Sequence, residues 1–123
     1  MDVDRTLTRD VILEGNDAFR QRVDVPEWGG HVFVKTMTGE ERDAFEQSVI
    51  ERNGSSVSRN LANFRAKLAA RVVVDGQGNR LFQDADIVPL GRKSSVALDR
   101  VVTAAQRLNA IGTAEVEDLT KNS

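Results

Sequence analysis

Apolar residues recur at helical spacing most clearly between Lys93 and Asn109, where Leu98, Val101, Val102, Ala105 and Leu108 fall at i, i+3, i+4, i+7 and i+10. That stretch is predicted as an amphipathic helix with one buried face. A second helix is predicted from about Arg59 to Arg71, with Leu61, Phe64, Leu68 and Val72 on one stripe,. Thr38-Gly39-Glu40-Glu41 reads as a capping box, opening a helix through Phe45 and Val49 to about Arg52, with Asn53-Gly54 as its left-handed stop,. Shorter helices are expected where Thr8 caps Arg9 to Leu13 ahead of Gly15-Asn16, where Asp84 precedes Ile87, Val88 and Leu90, and where Thr113 precedes Glu115, Glu117 and Leu119,. Pro89 is expected to end or kink the second of these,.

Alternating apolar and charged positions mark strands. Ala18 to Val25 and His31 to Lys35 alternate on either side of Pro26-Glu27-Trp28-Gly29-Gly30, which is a hairpin signal,. Val72 to Val74 and Leu81-Phe82 flank Asp75-Gly76-Gln77-Gly78-Asn79, predicting a second small strand pair,. Gly54 to Ser58 reads as a flexible connection. The fold class is therefore α+β, with about three main helices and two short β-hairpins around one core. One domain is expected over 1–123, its core spanning about 7–119 and residues 120–123 frayed,.

Composition narrows the function classes. The chain has 123 residues, 40% apolar and 29% charged, which suits one globular core. A formal net charge of -2 lacks the basic excess that phosphate-backbone binding draws on, so nucleic acid is a disfavoured partner,. The acidic start Met1-Asp2-Val3-Asp4-Arg5 does not read as a signal peptide, and no stretch approaches the ~20 apolar residues of a membrane span,. No membrane partner is expected.

Candidate chemistry is sparse. With no cysteine and one histidine, His31, thiolate chemistry is excluded and a zinc site would need carboxylates almost alone,. His31 reads as an exposed strand residue beside the hairpin turn. Asp75 to Asn79 alternates oxygen-bearing residues as a calcium loop does, but Arg80 stands where such a loop needs glycine and Asp86 where it needs glutamate,. Gly76-Gln77-Gly78 lacks the third glycine of a dinucleotide loop, and Gly91-Arg92-Lys93-Ser94 lacks the upstream glycine of a phosphate loop,. The latter patch reads as a helix start capped by Ser94 or Ser95. Clustered acids (Glu40 and Glu41, Asp84 and Asp86, Glu115, Glu117 and Asp118) all sit at predicted helix starts, where capping and the helix dipole account for them,. No catalytic, cofactor-binding or metal-binding residue is assigned.

What remains is contact between chains. Trp28, alone in a Pro-Glu-Trp-Gly-Gly turn, either folds back as a lid or projects as an anchor for a partner,. Val88, Leu90, Ile111, Val116 and Leu119 lie on short amphipathic elements that either close the core or offer a groove. These six are the candidate partner-binding residues.

Several segments taken in order resemble one family. They are Val25-Pro26-Glu27-Trp28-Gly29-Gly30, Thr38-Gly39-Glu40-Glu41-Arg42-Asp43-Ala44-Phe45, Asn79-Arg80-Leu81-Phe82 with Asp84-Ala85-Asp86, Leu90-Gly91-Arg92-Lys93-Ser94, and Ala105-Gln106-Arg107-Leu108-Asn109. Together they resemble the tail assembly chaperones of long-tailed bacteriophages and prophages, over about Leu7 to Leu119. The resemblance implies a protein that binds the tape measure protein, keeps it soluble and recruits tail tube protein, without cofactor, in the cytoplasm of the bacterial host, and then leaves before the virion is complete. Homo-oligomers are compatible with it. A structural tail component retained in the particle, such as a tube or completion protein, is the alternative. Such chaperones often come as short and frameshifted long forms, and Thr120-Lys121-Asn122 can be encoded by a slippery run, which makes the short form the expectation here.

Overall fold

A computed structural model describes residues 4–59 and 62–111. The short helix α1 (Arg9–Glu14) comes first, its N-terminus capped by Thr8, whose hydroxyl accepts from Val11 N–H. Strands β1 (Arg20–Val25) and β2 (Gly30–Lys35) form the expected antiparallel hairpin, Val23 facing Val32 and Val25 facing Gly30. Pro26–Trp28 between them is a single 3-10 turn. Proline suits its first position, because φ is preset and the missing N–H has no partner there to lose.

Helix α2 (Gly39–Ser48) starts with the capping box the sequence predicts: Thr38 Oγ1 accepts from Glu41 N–H at 3.1 Å, and Glu41 Oε1 accepts from Thr38 N–H at 2.9 Å. It ends earlier than Arg52, with Val49 fully buried at its cap. Residues Ile50–Asn53 (β3) instead pair antiparallel with Ser56–Arg59 (β4). Asn53-Gly54 thus turns a hairpin and does not cap a helix. Gly54 supplies the φ of 64° that a two-residue hairpin loop needs,. The Gly54 to Ser58 stretch is accordingly largely strand and not a loose connection.

Helix α3 (Phe64–Val72) is shorter than the predicted Arg59 to Arg71 helix, because β4 takes its first residue and Asn63 sits in the left-handed region at φ 58°. Its stripe is core as expected: Leu68 and Val72 are fully buried, and Phe64 meets Phe45 of α2 edge to face at 5.6 Å. Leu61 lies outside the described residues. Val73–Val74 (β5) then joins β2 in a sheet of order β1-β2-β5. The predicted pairing of Val72 to Val74 with Leu81-Phe82 reduces to one bridge, Val74 to Arg80. β2 takes one edge of β5; on the other, Arg80 and Leu81 pair briefly, Leu81 N–H donating to Val73 C=O, before the chain leaves for the turn at Asp84–Asp86.

A 3-10 turn at Asp84–Asp86 leads into α4 (Ile87–Gly91). Its capping residue is Gln83, whose N–H donates to Asp86 Oδ2 at 2.8 Å, and not Asp84. Pro89 lies in the first turn of α4, where helical N–H groups lack intrahelical acceptors, and the helix ends two residues after it at Gly91,. Helix α5 (Ser95–Leu108) follows, with Ser94 as its cap. Ala97, Leu98, Val101, Val102, Ala104 and Ala105 are buried and Leu108 is half-buried, as the periodicity predicts.

The core lies where α5 covers one face of the sheet and α3 packs against α5. Alanines are frequent among the buried residues of both helices, Ala66, Ala69 and Ala70 in α3 and Ala97, Ala104 and Ala105 in α5. Small side chains let the two backbones approach closely. Gly91 has a similar reason, since a Cβ there would lie 2.7 Å from Asn63 Oδ1 at the start of α3. Asn109 ties the end of α5 to the sheet, accepting from Met37 N–H at 2.6 Å and donating to the carbonyls of Lys35 and Ala105. Arg42 adds a bond from α2 to the Asn109 carbonyl at 2.9 Å. The arrangement is α+β, with three helices of nine or more residues among those described. The predicted helix after Thr113 lies outside the described residues.

Candidate functional site

Three neighbouring segments leave an apolar groove open on the surface. Trp28, Leu81, Phe82, Asp86, Pro89, Leu90 and Lys93 line it, and its volume is about 690 Å³. Each wall is held from behind. Glu27 receives two hydrogen bonds from the Arg100 guanidinium of α5, at 2.8 and 2.9 Å, so the turn that carries Trp28 is pinned to the helix. The same guanidinium holds the Glu27 carboxyl below its ordinary pKa,.

The opposite wall follows the Asp75 to Asn79 turn, where Asp75 Oδ1 accepts from the N–H groups of Gln77 and Asn79. These bonds, led by that of Asn79, lower the Asp75 pKa. This carboxylate is thus spent on the turn itself. Leu81 N–H then donates to Val73 C=O, and Arg80 Nε donates to Ala70 C=O at 2.9 Å, which fixes Leu81 and Phe82 beside the sheet. Leu81 is 48% exposed, whereas Phe82 and Trp28 are half-buried against the core. Asp86 and Lys93 put one acid and one base beside this apolar lining, and an apolar centre with charge around it suits contact with a polypeptide.

Two of the six sequence-predicted contact residues meet in this groove, Trp28 and Leu90. Leu90 is buried and forms floor more than contact surface. Val88, on the same helix, is 53% exposed but does not line the groove. Ile111 is placed in the core, 5% exposed, where its N–H donates to Gln106 C=O at 2.7 Å as the chain folds back from α5. Val116 and Leu119 lie outside the described residues. Leu81, Phe82, Pro89, Asp86 and Lys93 were not singled out as contact residues by sequence reading. The first two were assigned to a strand pair, and a strand partner would have covered them.

A second apolar surface lies at the start of the chain. Leu7, Val11, Ile12, Leu13 and Phe19 are all 40% exposed or more, and no residue of α1 is buried. His31 is exposed on β2, its ring edge-to-face with Phe33 at 5.6 Å. Among the described residues, no three His, Asp or Glu side chains gather as a metal site, and no helix is long and apolar enough to cross a membrane.

The fold and groove define a small α+β protein with an open apolar groove on its surface. The profile of the phage tail assembly chaperone family matches residues 7–122, and the chain belongs to that family. No curated protein and no solved structure matches it.

Proposed function

We propose that this member of the family binds the tape measure protein in the host cytoplasm through the groove of Trp28, Leu81, Phe82 and Pro89, keeps it soluble, and recruits tail tube protein before leaving the assembling tail. The observation that supports this is the groove itself: large apolar side chains held open by ion pairs and turns behind them, in a chain whose family acts in tail assembly. A tape measure protein is long and helical, and unassembled apolar helix faces aggregate. An apolar slot with a mixed-charge lining takes one face of such a helix and removes it from water.

Trp28 is the only tryptophan of the chain, so its fluorescence reports on the groove directly. Co-expression with the tape measure protein is expected to bring that client into the soluble fraction, and binding is expected to shift Trp28 emission to shorter wavelength. A client equally soluble without the chain would defeat the reading. Mass spectrometry of purified virions separates it from a structural tail component, since a chaperone is missing from the particle and a tube or completion protein is present.

A further inference from the structure

A second surface, on the other side of the Glu27–Arg100 pair, points to a partner that the groove does not involve. We propose that two copies of this chain join through the free edge of β1, across a two-fold axis, into one continuous six-stranded sheet.

The edge is open. Strand β1 pairs only with β2 among the described residues, and along its other side runs a groove lined by Gln21, Arg22, Val23 and Asp24 of the strand, facing Asp99, Thr103 and Arg107 of α5. The backbone phase of that edge follows from the ladder. Thr36 N–H donates to Phe19 C=O at 2.9 Å, and antiparallel pairs alternate between bonded and non-bonded. The bonded pairs with β2 are therefore Gln21 with Val34, Val23 with Val32, and Val25 with Gly30. The N–H and C=O groups of Arg20, Arg22 and Asp24 point outward, a ready template for another strand.

The side chains then select the occupant. Arg22 and Asp24 are two residues apart and opposite in charge, both well exposed, and among the described residues they pair with each other, at 2.9 Å. A two-fold axis beside Val23 sets Arg22 against the copy's Asp24, and Asp24 against the copy's Arg22, both at outward-bonding positions. A strand that is complementary to itself when reversed is what a two-fold interface requires.

Helix α5 covers the other face of β1, that of the buried Val23 and Val25,. It runs opposite to β1, since Arg100 sits beside Glu27 at one end and Asn109 beside Lys35 at the other. Along the groove it presents Val96, Asp99, Arg100, Thr103, Ala104 and Arg107, with Asp99 held by Arg65 of α3. The axis satisfies the Arg22 and Asp24 pairing in both directions, and a client strand would have no reason to match it.

The test uses the whole chain without any client, so its result is independent of the groove reading. Light scattering on the purified protein is expected to give twice the 13.6 kDa chain mass. Arg22→Pro removes one outward N–H while sparing the bonds to β2, and is expected to give a monomer with unchanged circular dichroism. Asp24→Arg is expected to weaken the dimer about tenfold or more, since both cross-strand pairs become repulsive. The double change Arg22→Asp with Asp24→Arg restores opposite charges and is expected to restore the dimer. Should Arg22→Pro unfold, the charge series decides alone. A wild-type monomer, a dimer indifferent to Asp24→Arg, or a double variant that stays dissociated each overturns the proposal.

Discussion

The seam between α3 and α5 and the groove beside α4 are made of the same kind of material and end in opposite states. Along the seam, Leu68, Ala69, Val72, Val101 and Ala105 are fully buried because two long helices cross on small residues and exclude water. At the groove, Trp28, Leu81, Phe82 and Pro89 are as apolar, yet α4 has only five residues and the two turns flanking it cannot cover them. Apolar character decides that a residue gains from burial. The length and placement of the neighbouring element decide whether burial is completed within the chain or left for a partner.

The contrast breaks most visibly at Leu68. Leu68→Ala is expected to cost about 3 kcal/mol in chemical denaturation, by lost transfer energy and a cavity that the crossed helices cannot close. A cost under 1 kcal/mol would mean the seam is not packed as described. Asn109→Ala removes two hydrogen bonds that tie the end of α5 to Lys35 and Met37, and a third to Ala105 within α5, leaves the part-buried Met37 N–H without its acceptor, and is expected to cost about 2 kcal/mol. Next, Thr38→Ala removes the cap of α2 and is expected to lower stability by about 1 kcal/mol, with little change in the groove read by Trp28 fluorescence.

Acid sharpens the comparison further, because charge holds the groove's turn in place while no charge is buried in the seam. Hydrogen bonding from Arg100 lowers the Glu27 pKa from 4.5. For Glu41, burial pushes the pKa up, but the Lys35 ammonium and the Thr38 N–H outweigh it, and the net shift from 4.5 is also downward. Groups depressed in the folded state contribute stability that is full above their unfolded pKa and lost as pH falls through the folded one. Stability is therefore expected to be flat from neutrality to about pH 5 and to fall below 4.5,. Glu27→Gln is expected to flatten part of that fall, and to alter Trp28 emission before any global unfolding. The smallest stability effect belongs to Leu81→Ser, expected to stay within about 0.5 kcal/mol because the side chain is half in water already. Its large effect is on the client, whose soluble fraction is expected to drop.

Sequence reading succeeded where a local rule has no competitor. The Thr38 and Glu41 capping box, the Thr8 and Ser94 caps, the Pro26 to Trp28 hairpin and the α5 stripe depend on residues within a turn or two of each other, and all are present. It failed where two local rules competed. Asn53-Gly54 serves equally as a helix stop and as a hairpin turn, and the β3–β4 pairing resolved it as a turn. Val73 and Val74 pair with β2 along one edge, and along the other the expected strand is cut short to Arg80 and Leu81. Reading Leu81 and Phe82 as a strand hides two of the seven residues that line the groove. Trp28 and Leu90 were legible as contact candidates because a lone aromatic in a turn and a leucine on a short helix already posed the question of what covers them.

The sequence by itself determined the starts of α1, α2 and α5, the first hairpin, the α+β class and the absence of cysteine chemistry, because these depend on residue identity and near neighbours. Only the tertiary structure decided which apolar residues stay open. Ile111 folded into the core and Leu81 did not, and that outcome is set by which distant segment arrives to exclude water, a property no short stretch of the chain contains.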